Sequence, residues 1–336
     1  MIRADAVVLG AGPSGLGAGL ALARAGARVV LLEAADRVGG LCVTRRGDGV
    51  AYDLGGHIPF VRSEARREWL ADLLDGDLIW VDRPVSCVLD GDIVRGRYLD
   101  QRPAGAAPEI GPADGALAYL TERFDAGFAD EVVRPYIEKI DGVPLENVPA
   151  ERLRKLLEDQ AAPTGFWFPR HGIGQLMDAM ADAFVAAGGV LRLRARATSL
   201  RASGGRVRAV DVDGPDGSGT IATDDVVVSV PAGLAAQIAA PPPPGDVMEP
   251  VRMRAVALVY LMVERAGVTS EPWIQVSDPR VPFARVFEMG NWSGDLTPGG
   301  RAVLGMECYC QADDDDPVWG LDDAELAAAC HDALVD

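Results

Sequence analysis

Gly10, Gly12 and Gly15 stand in a G-x-G-x-x-G spacing inside "VVLGAGPSGLGAGLALARAGARVVLLEAADRVGG", with Gly19 following and Glu33 further on. Residues of those types at that spacing can cradle a pyrophosphate. The first glycine permits a tight turn, the second lets backbone approach the phosphates, and the third lets helix and strand pack closely, while a helix N-terminus supplies oriented N–H groups. Glu33, roughly 20 residues after the glycines, falls where a carboxylate accepts ribose hydroxyls and would repel a 2′-phosphate.

The surrounding pattern must supply strand, turn, helix and strand. Residues 6–9 are a short apolar run of the kind a buried parallel strand shows, and residues 14–25 place Leu16, Leu20 and Ala23 at helical spacing. Gly26 sits where a helix C′ glycine would, and residues 28–32 read as the second strand. Export is the first alternative, and it fails because Gly10, Gly12, Pro13, Gly15, Gly17, Gly19 and Arg24 break the apolar core that a signal needs. Glycines that merely close a turn are the second, and the strand before, the helix after and Glu33 argue against it.

At 336 residues the chain suits two domains. Its net charge of −18 disfavours nucleic acid and anionic membrane surfaces, which need a basic face. No apolar run approaches the about 18 residues of a membrane span. Five cysteines do not suggest a disulfide framework, so a reduced, cytoplasmic setting is expected, with the cysteines as buried small hydrophobes. The three histidines, His57, His171 and His331, make no zinc spacing, and no metal site is expected.

After Arg37 and Gly39-Gly40, a second glycine turn, Asp53-Leu54-Gly55-Gly56-His57, suggests that both turns serve one elongated ligand. A helix is predicted over 64–75 with Trp69, Leu70, Leu73 and Leu74 as its apolar stripe, then a hairpin turning at Asp90-Gly91-Asp92. Residues 113–160 read as helices interrupted at Pro135, Pro144 and Pro149. From Phe166 the pattern returns to α/β: a helix over 173–187, a strand over 189–194, a hairpin turning at Gly204-Gly205 and a buried strand over 226–230. Residues 241–244 are a polyproline punctuation. Strands over 255–263, 273–276, 283–288 and 302–309 and a helix over 322–334 complete the chain.

In this order the blocks resemble the FAD-dependent amine oxidase and protoporphyrinogen-oxidase-like flavoproteins, a superfamily that includes phytoene desaturases and, more distantly, UDP-galactopyranose mutase. The opening glycines with Glu33-x-x-x-Arg37-x-Gly39-Gly40 look like the group's extended FAD fingerprint. "YDLGGHIPF" resembles its second flavin-contacting turn, "RPYIEKIDGVP" a helical element of the oxidase-like and mutase-like branches, "FWFPRHGIGQLMDAM" the return to the FAD domain, and "DVVVSVPA" the strand after it.

The resemblance implies an α/β fold: a Rossmann-type FAD domain built from separated segments, 1–60 and 166–244, plus a mixed α+β substrate domain, 61–165 and 245–336. It implies that the backbone of Gly12, Pro13, Ser14 and Gly15 meets the diphosphate, that Glu33 binds the adenosine ribose, and that Arg37, Gly39, Gly40 and Leu41 line the diphosphate–ribityl path. Gly55, Gly56 and His57 should approach the isoalloxazine ring, and Ala197 should present backbone to adenine. It assigns no catalytic residue, because the flavin itself accepts hydride in most of the group. Tyr136 and Lys139, at i, i+3 spacing, could reach a substrate, but a structural tyrosine and a surface lysine is the better reading. Arg170 and His171 sit at a helix entry and are expected to serve that turn.

The expected function is FAD-dependent oxidation or desaturation of a small organic substrate. The alternatives are a mutase-like non-redox flavoenzyme, a non-enzymatic Rab-escort-like member of the fold and an NAD-linked enzyme. The resembled group adds a C-terminal segment that returns to the FAD domain, whereas this sequence stops at Asp336. The expectation is therefore a shortened chain, or a second polypeptide that supplies the segment.

Overall fold

The computed structural model describes residues 2–82, 85–101, 115–158, 165–240 and 253–335. The polyproline stretch 241–244 lies outside them. The chain divides into two compact units, one of Met1–Arg45, Val61–Leu78 and Pro169–Arg252, the other of Arg46–Phe60, Ile79–Phe168 and Met253–Asp336.

In the first unit, Ala6–Leu9 and Val29–Leu32 are buried along their whole length and pair in parallel, Val7 opposite Val30. Val190–Arg192 adds to one side of this pair and Asp225–Val228 to the other, again in parallel, which makes a four-stranded sheet from distant segments. Side chains alternate across a strand. Val8 and Leu31 accordingly meet Leu16 and Leu20 of the helix Pro13–Arg24 and Met177, Met180 and Phe184 of the helix Ile173–Ala186. Val7, Leu9, Val30 and Leu32 face Val210, Val212 and Ile221 of a second, five-stranded sheet. Each such side chain contributes about 1.5–3 kcal/mol when fully buried.

The structure departs from the expectations for this unit in two places. The sequence predicts a buried strand over 226–230, but the strand is Asp225–Val228, it is the edge of its sheet, and Val228 is exposed. The helix Glu64–Leu73 falls in the first unit, although the expected boundary put residue 61 onward in the substrate domain. Leu70 and Leu74 explain this, since both are buried with Phe184 and Leu20. Trp69, expected in the same stripe, remains 38% exposed.

The second unit holds a six-stranded sheet in the order Arg254–Val263, Ala302–Gln311, Arg285–Glu288, Trp273–Gln275, Val85–Leu89, Asp92–Arg95. Its pairings are antiparallel except where Trp273–Gln275 runs parallel to Val85–Leu89. Residues 46–60 belong here and not with the nucleotide turn, because Val50, Ala51, Tyr52 and Ile58 pack on Phe287 and Trp292.

Pro135 does not interrupt its helix. Ala126–Phe128, Ala129–Val133 and Arg134–Asp141 follow one another with right-handed helical backbone at each junction, and the middle stretch is a π turn. A proline lacks the N–H and crowds the carbonyl four residues back, so the wider turn immediately before Pro135 accommodates it. The helix ends at Gly142, whose φ of 69° is left-handed. Among the described residues no helix is long and apolar enough to cross a membrane.

Candidate functional site

The first unit brings the predicted nucleotide-binding residues together. Gly10 closes the strand with φ +94°, and a Cβ there would stand 2.6 Å from the Ser229 carbonyl oxygen. A Cβ on Gly15 would overlap the Gly10 carbonyl oxygen, so strand and helix meet without room for a side chain. Gly12 differs: no described atom lies within 4 Å of where its Cβ would stand. Gly12 caps the helix without a side-chain bond, Pro13 opens the first turn, and no acidic side chain sits there. The first intrahelical bond runs from the Leu16 N–H to the Gly12 carbonyl at 2.9 Å, so the earlier Ser14 and Gly15 N–H groups lack an intrahelical acceptor. An open backbone face beside a helix N-terminus, with no carboxylate in the first turn, is chemically matched to a pyrophosphate.

Glu33 stands beside this face. Its Oε2 accepts the Ala11 N–H at 2.7 Å and its Oε1 the Ala35 N–H at 2.8 Å. A carboxylate offers about four lone-pair sites, so these two bonds fix its orientation and leave capacity for hydroxyl donors. Gly39 donates its N–H to the Ala11 carbonyl at 2.8 Å, and a Cβ on Gly40 would stand 3.4 Å from Gly12 Cα. The second glycine pair thus packs directly on the first turn. Arg37 is exposed and pairs with Asp36 at 3.4 Å, and the Leu41 side chain is 74% exposed. Ala197 lies in the strand Arg196–Ser203 opposite Val212. The chain just before it is tied to the Glu33 segment by Ala195 N–H to Glu33 carbonyl (2.8 Å) and Arg194 N–H to Ala35 carbonyl (2.7 Å).

Gly55, Gly56 and His57 belong to the second unit. The Tyr260 hydroxyl donates to the Asp53 carbonyl and accepts the Gly55 N–H at 2.8 Å. Glu307 Oε1 accepts the Gly56 N–H at 3.1 Å. Glu307 Oε2 in turn receives Arg285 Nη1 at 3.1 Å and the Tyr309 hydroxyl at 2.9 Å. Arg285 also donates to the hydroxyls of Tyr309 (2.6 Å) and Tyr136 (3.2 Å), and its guanidinium lies 5.1 Å from the Trp273 ring centroid. His57 Nδ1 is buried and makes no hydrogen bond among the described residues. Burial pushes the His57 imidazole below its ordinary value, while the Glu307 charge and the Gly55 and Leu54 carbonyls oppose the shift. Burial alone would lower Arg285, but Tyr136, Tyr309 and Glu307 outweigh it and raise it.

The sequence reading missed Tyr260, Arg285, Glu307 and Tyr309. A signal existed: Glu307 interrupts the apolar strand Ala302–Gln311, and a charge buried in a strand needs a partner. Tyr136, expected to be structural, is buried and accepts the Gln275 amide at 2.9 Å as well as Arg285. Lys139 is not a surface lysine. Its ammonium donates to the Asp278 carbonyl at 2.7 Å, and burial lowers it to about 8. Arg170 and His171 both approach Asp77, at 3.3 and 3.6 Å.

Comparison with known proteins bears on the fold and the family. Two curated relatives match over short stretches. The all-trans-retinol 13,14-reductase of Macaca fascicularis is 36% identical over 96 residues, 28% of this chain and 15% of the relative. The putrescine oxidase of Kocuria rosea is 49% identical over 55 residues, 16% of this chain and 12% of the relative. Among solved structures, reduced UDP-galactopyranose mutase superposes with a TM-score of 0.71 at 20% identity, covering 91% of this chain and 74% of that one. Putrescine oxidase bound to putrescine gives 0.70 at 19%, covering 99% and 81%. These likenesses show the fold, a Rossmann-type FAD domain with a mixed substrate domain. The family described as FAD dependent oxidoreductase matches residues 5–334, and the chain therefore belongs to that family, with FAD as its cofactor.

Proposed function

We propose that the protein oxidises or desaturates a small organic substrate by hydride transfer, the hydride leaving a carbon next to nitrogen or a carbon that becomes part of an alkene. The observation that carries this reading is the open backbone face at Gly12 with Glu33 beside it, in a chain of the FAD-dependent oxidoreductase family. When bound, FAD supplies the two-electron acceptor, and dioxygen or another acceptor then reoxidises it.

In this reading the Gly12, Ser14 and Gly15 backbone binds the diphosphate, Pro13 presets the first turn, and Glu33 takes the ribose hydroxyls. Arg37, Gly39, Gly40 and Leu41 follow the diphosphate outward, Ala197 offers backbone to adenine, and Gly55, Gly56 and His57 serve the reactive end. The partly buried imidazole, lowered by desolvation, favours its neutral form at pH 7 and can accept a proton or hydrogen bond from substrate. An amine must lose its ammonium proton before hydride departs, so a neutral acceptor is the group such a substrate needs. The relatives that carry these two chemistries in their names are putrescine oxidase and all-trans-retinol 13,14-reductase.

The test is anaerobic mixing of the FAD-loaded protein with aliphatic amines and with the saturated precursors of alkenes, following the oxidised-flavin absorbance. Bleaching by one class is the expected result. Turnover seen only after prior reduction, with no net electron transfer, would overturn the oxidoreductase reading in favour of mutase chemistry.

A further inference from the structure

We propose that Glu307 is a positioning residue for His57: bonded to the Gly56 N–H and clamped by Arg285 and Tyr309, it fixes the glycine turn and holds a negative charge against the imidazole. The role of His57 rests on the function proposed above. The pairing of Glu307 with the turn rests on geometry within one compact unit.

Glu307 is nearly inaccessible, on the strand Ala302–Gln311, and spends one oxygen on the Gly56 N–H and the other on Arg285 and Tyr309. A pair that served stability alone would need only its own two members. Here the carboxylate is shared between the pair and the turn that carries His57. Arg285 in turn is held on both sides, by the Tyr136 and Tyr309 hydroxyls and over the Trp273 ring, so the carboxylate has little freedom to move. The opposite side of the turn is fixed by Tyr260, which bridges the Asp53 carbonyl and the Gly55 N–H. The ionisable groups gathered at the turn are thus Asp53 and Tyr52 on its own segment, Tyr260 on one strand, Glu307 and Tyr309 on the next, and Arg285 on the third.

Electrostatics gives the arrangement a sign. The Glu307 charge favours a protonated imidazole, and the Arg285 charge, by neutralising Glu307, limits that effect. Removing the carboxylate must therefore shift His57 one way and removing the guanidinium the other. Loosening of the fold would not give opposite shifts.

The experiment uses the full chain with its three histidines, His57, His171 and His331, labelled at the imidazole Cε1 and titrated by NMR, with His57→Asn to assign the resonance. Glu307→Gln keeps an oxygen acceptor for the Gly56 N–H but drops the charge, and the His57 midpoint moves to lower pH. Arg285→Gln leaves Glu307 unneutralised, and the midpoint moves to higher pH. If Arg285→Gln does not fold, Tyr309→Phe replaces it, with the same upward direction. A midpoint unchanged in Glu307→Gln, or shifts of the same sign in the two variants, overturns the proposal. Opposite shifts in a protein whose flavin no amine and no saturated precursor of an alkene bleaches would leave this pairing standing and remove the function proposed above, so the two failures are distinguishable.

Discussion

Glu33 Oε2 accepts the backbone N–H of Ala11 at 2.7 Å, tying the end of the second strand to the turn between the first strand and its helix. The same carboxylate is therefore both a strut of the turn and the proposed ribose acceptor. Glu33→Ala removes both roles, and FAD affinity is expected to fall by about 1.5–3 kcal/mol for each hydrogen bond lost to the charged group. Glu33→Gln keeps an oxygen for Ala11 and should lose less. Titration calorimetry with FAD checks this, and equal dissociation constants for wild type and Glu33→Ala would refute the assignment.

Gly12 and Gly15 separate folding from binding. At Gly15 a methyl group would overlap the Gly10 carbonyl oxygen, so Gly15→Ala is expected to cost about 1–3 kcal/mol of stability. At Gly12 the backbone is extended, φ −73° and ψ 176°, and the Cβ direction is open. Gly12→Ala should fold with a loss of no more than about 1 kcal/mol, the ordinary cost of alanine at a helix cap. It should nevertheless bind FAD poorly, since its methyl occupies the face the diphosphate would approach. Thermal melts of the apo-protein set against flavin retention through gel filtration distinguish the two variants.

Much of this was legible in the sequence. Residues 6–33 announce their strand, turn, helix and strand because burial on both faces leaves an unbroken apolar run, and because the tight glycine turn admits few other residues. The polar cluster at Gly56 was not legible. Glu307 and Arg285 are far from residue 56 in sequence, and only the pairing of Arg285–Glu288 with Ala302–Gln311 sets them opposite each other. A charged residue in an apolar strand marks a site, but its partner depends on register, which a single sequence does not print. The boundary near residue 60 was misplaced for a related reason. Whether Leu70 and Leu74 pack with Phe184 or elsewhere is decided by tertiary contact and not by their own spacing.

His57 makes the stability of the fold depend on pH. Its folded value is depressed by burial, so the unfolded chain binds the proton more readily. Stability from this group is fully present above the unfolded value of about 6.5 and is lost as pH falls through that value toward the lower folded one. Melting temperature should thus decline more steeply between pH 7 and pH 5 in wild type than in His57→Gln. Parallel declines in the two proteins would show that His57 is not the group responsible.

Lys139 works in the alkaline direction. Burial lowers its ammonium to about 8, with the Asp278 charge only partly opposing, whereas an unfolded lysine titrates near 10.4. The unfolded chain therefore holds the proton more tightly between these values, and wild type gains stability as pH rises through them. Lys139→Met removes the cost of burying the charge but also the hydrogen bond to the Asp278 carbonyl. The net expectation is a variant roughly 1–2 kcal/mol more stable than wild type at pH 7. That advantage should shrink steadily from pH 8 to pH 10.5, as the wild-type lysine becomes neutral in both states. Urea unfolding across this range provides the check. A variant less stable than wild type at pH 7, by an amount independent of pH, would mean that the bond to Asp278 outweighs desolvation and that Lys139 is a structural tie between its helix and the segment after Trp273–Gln275.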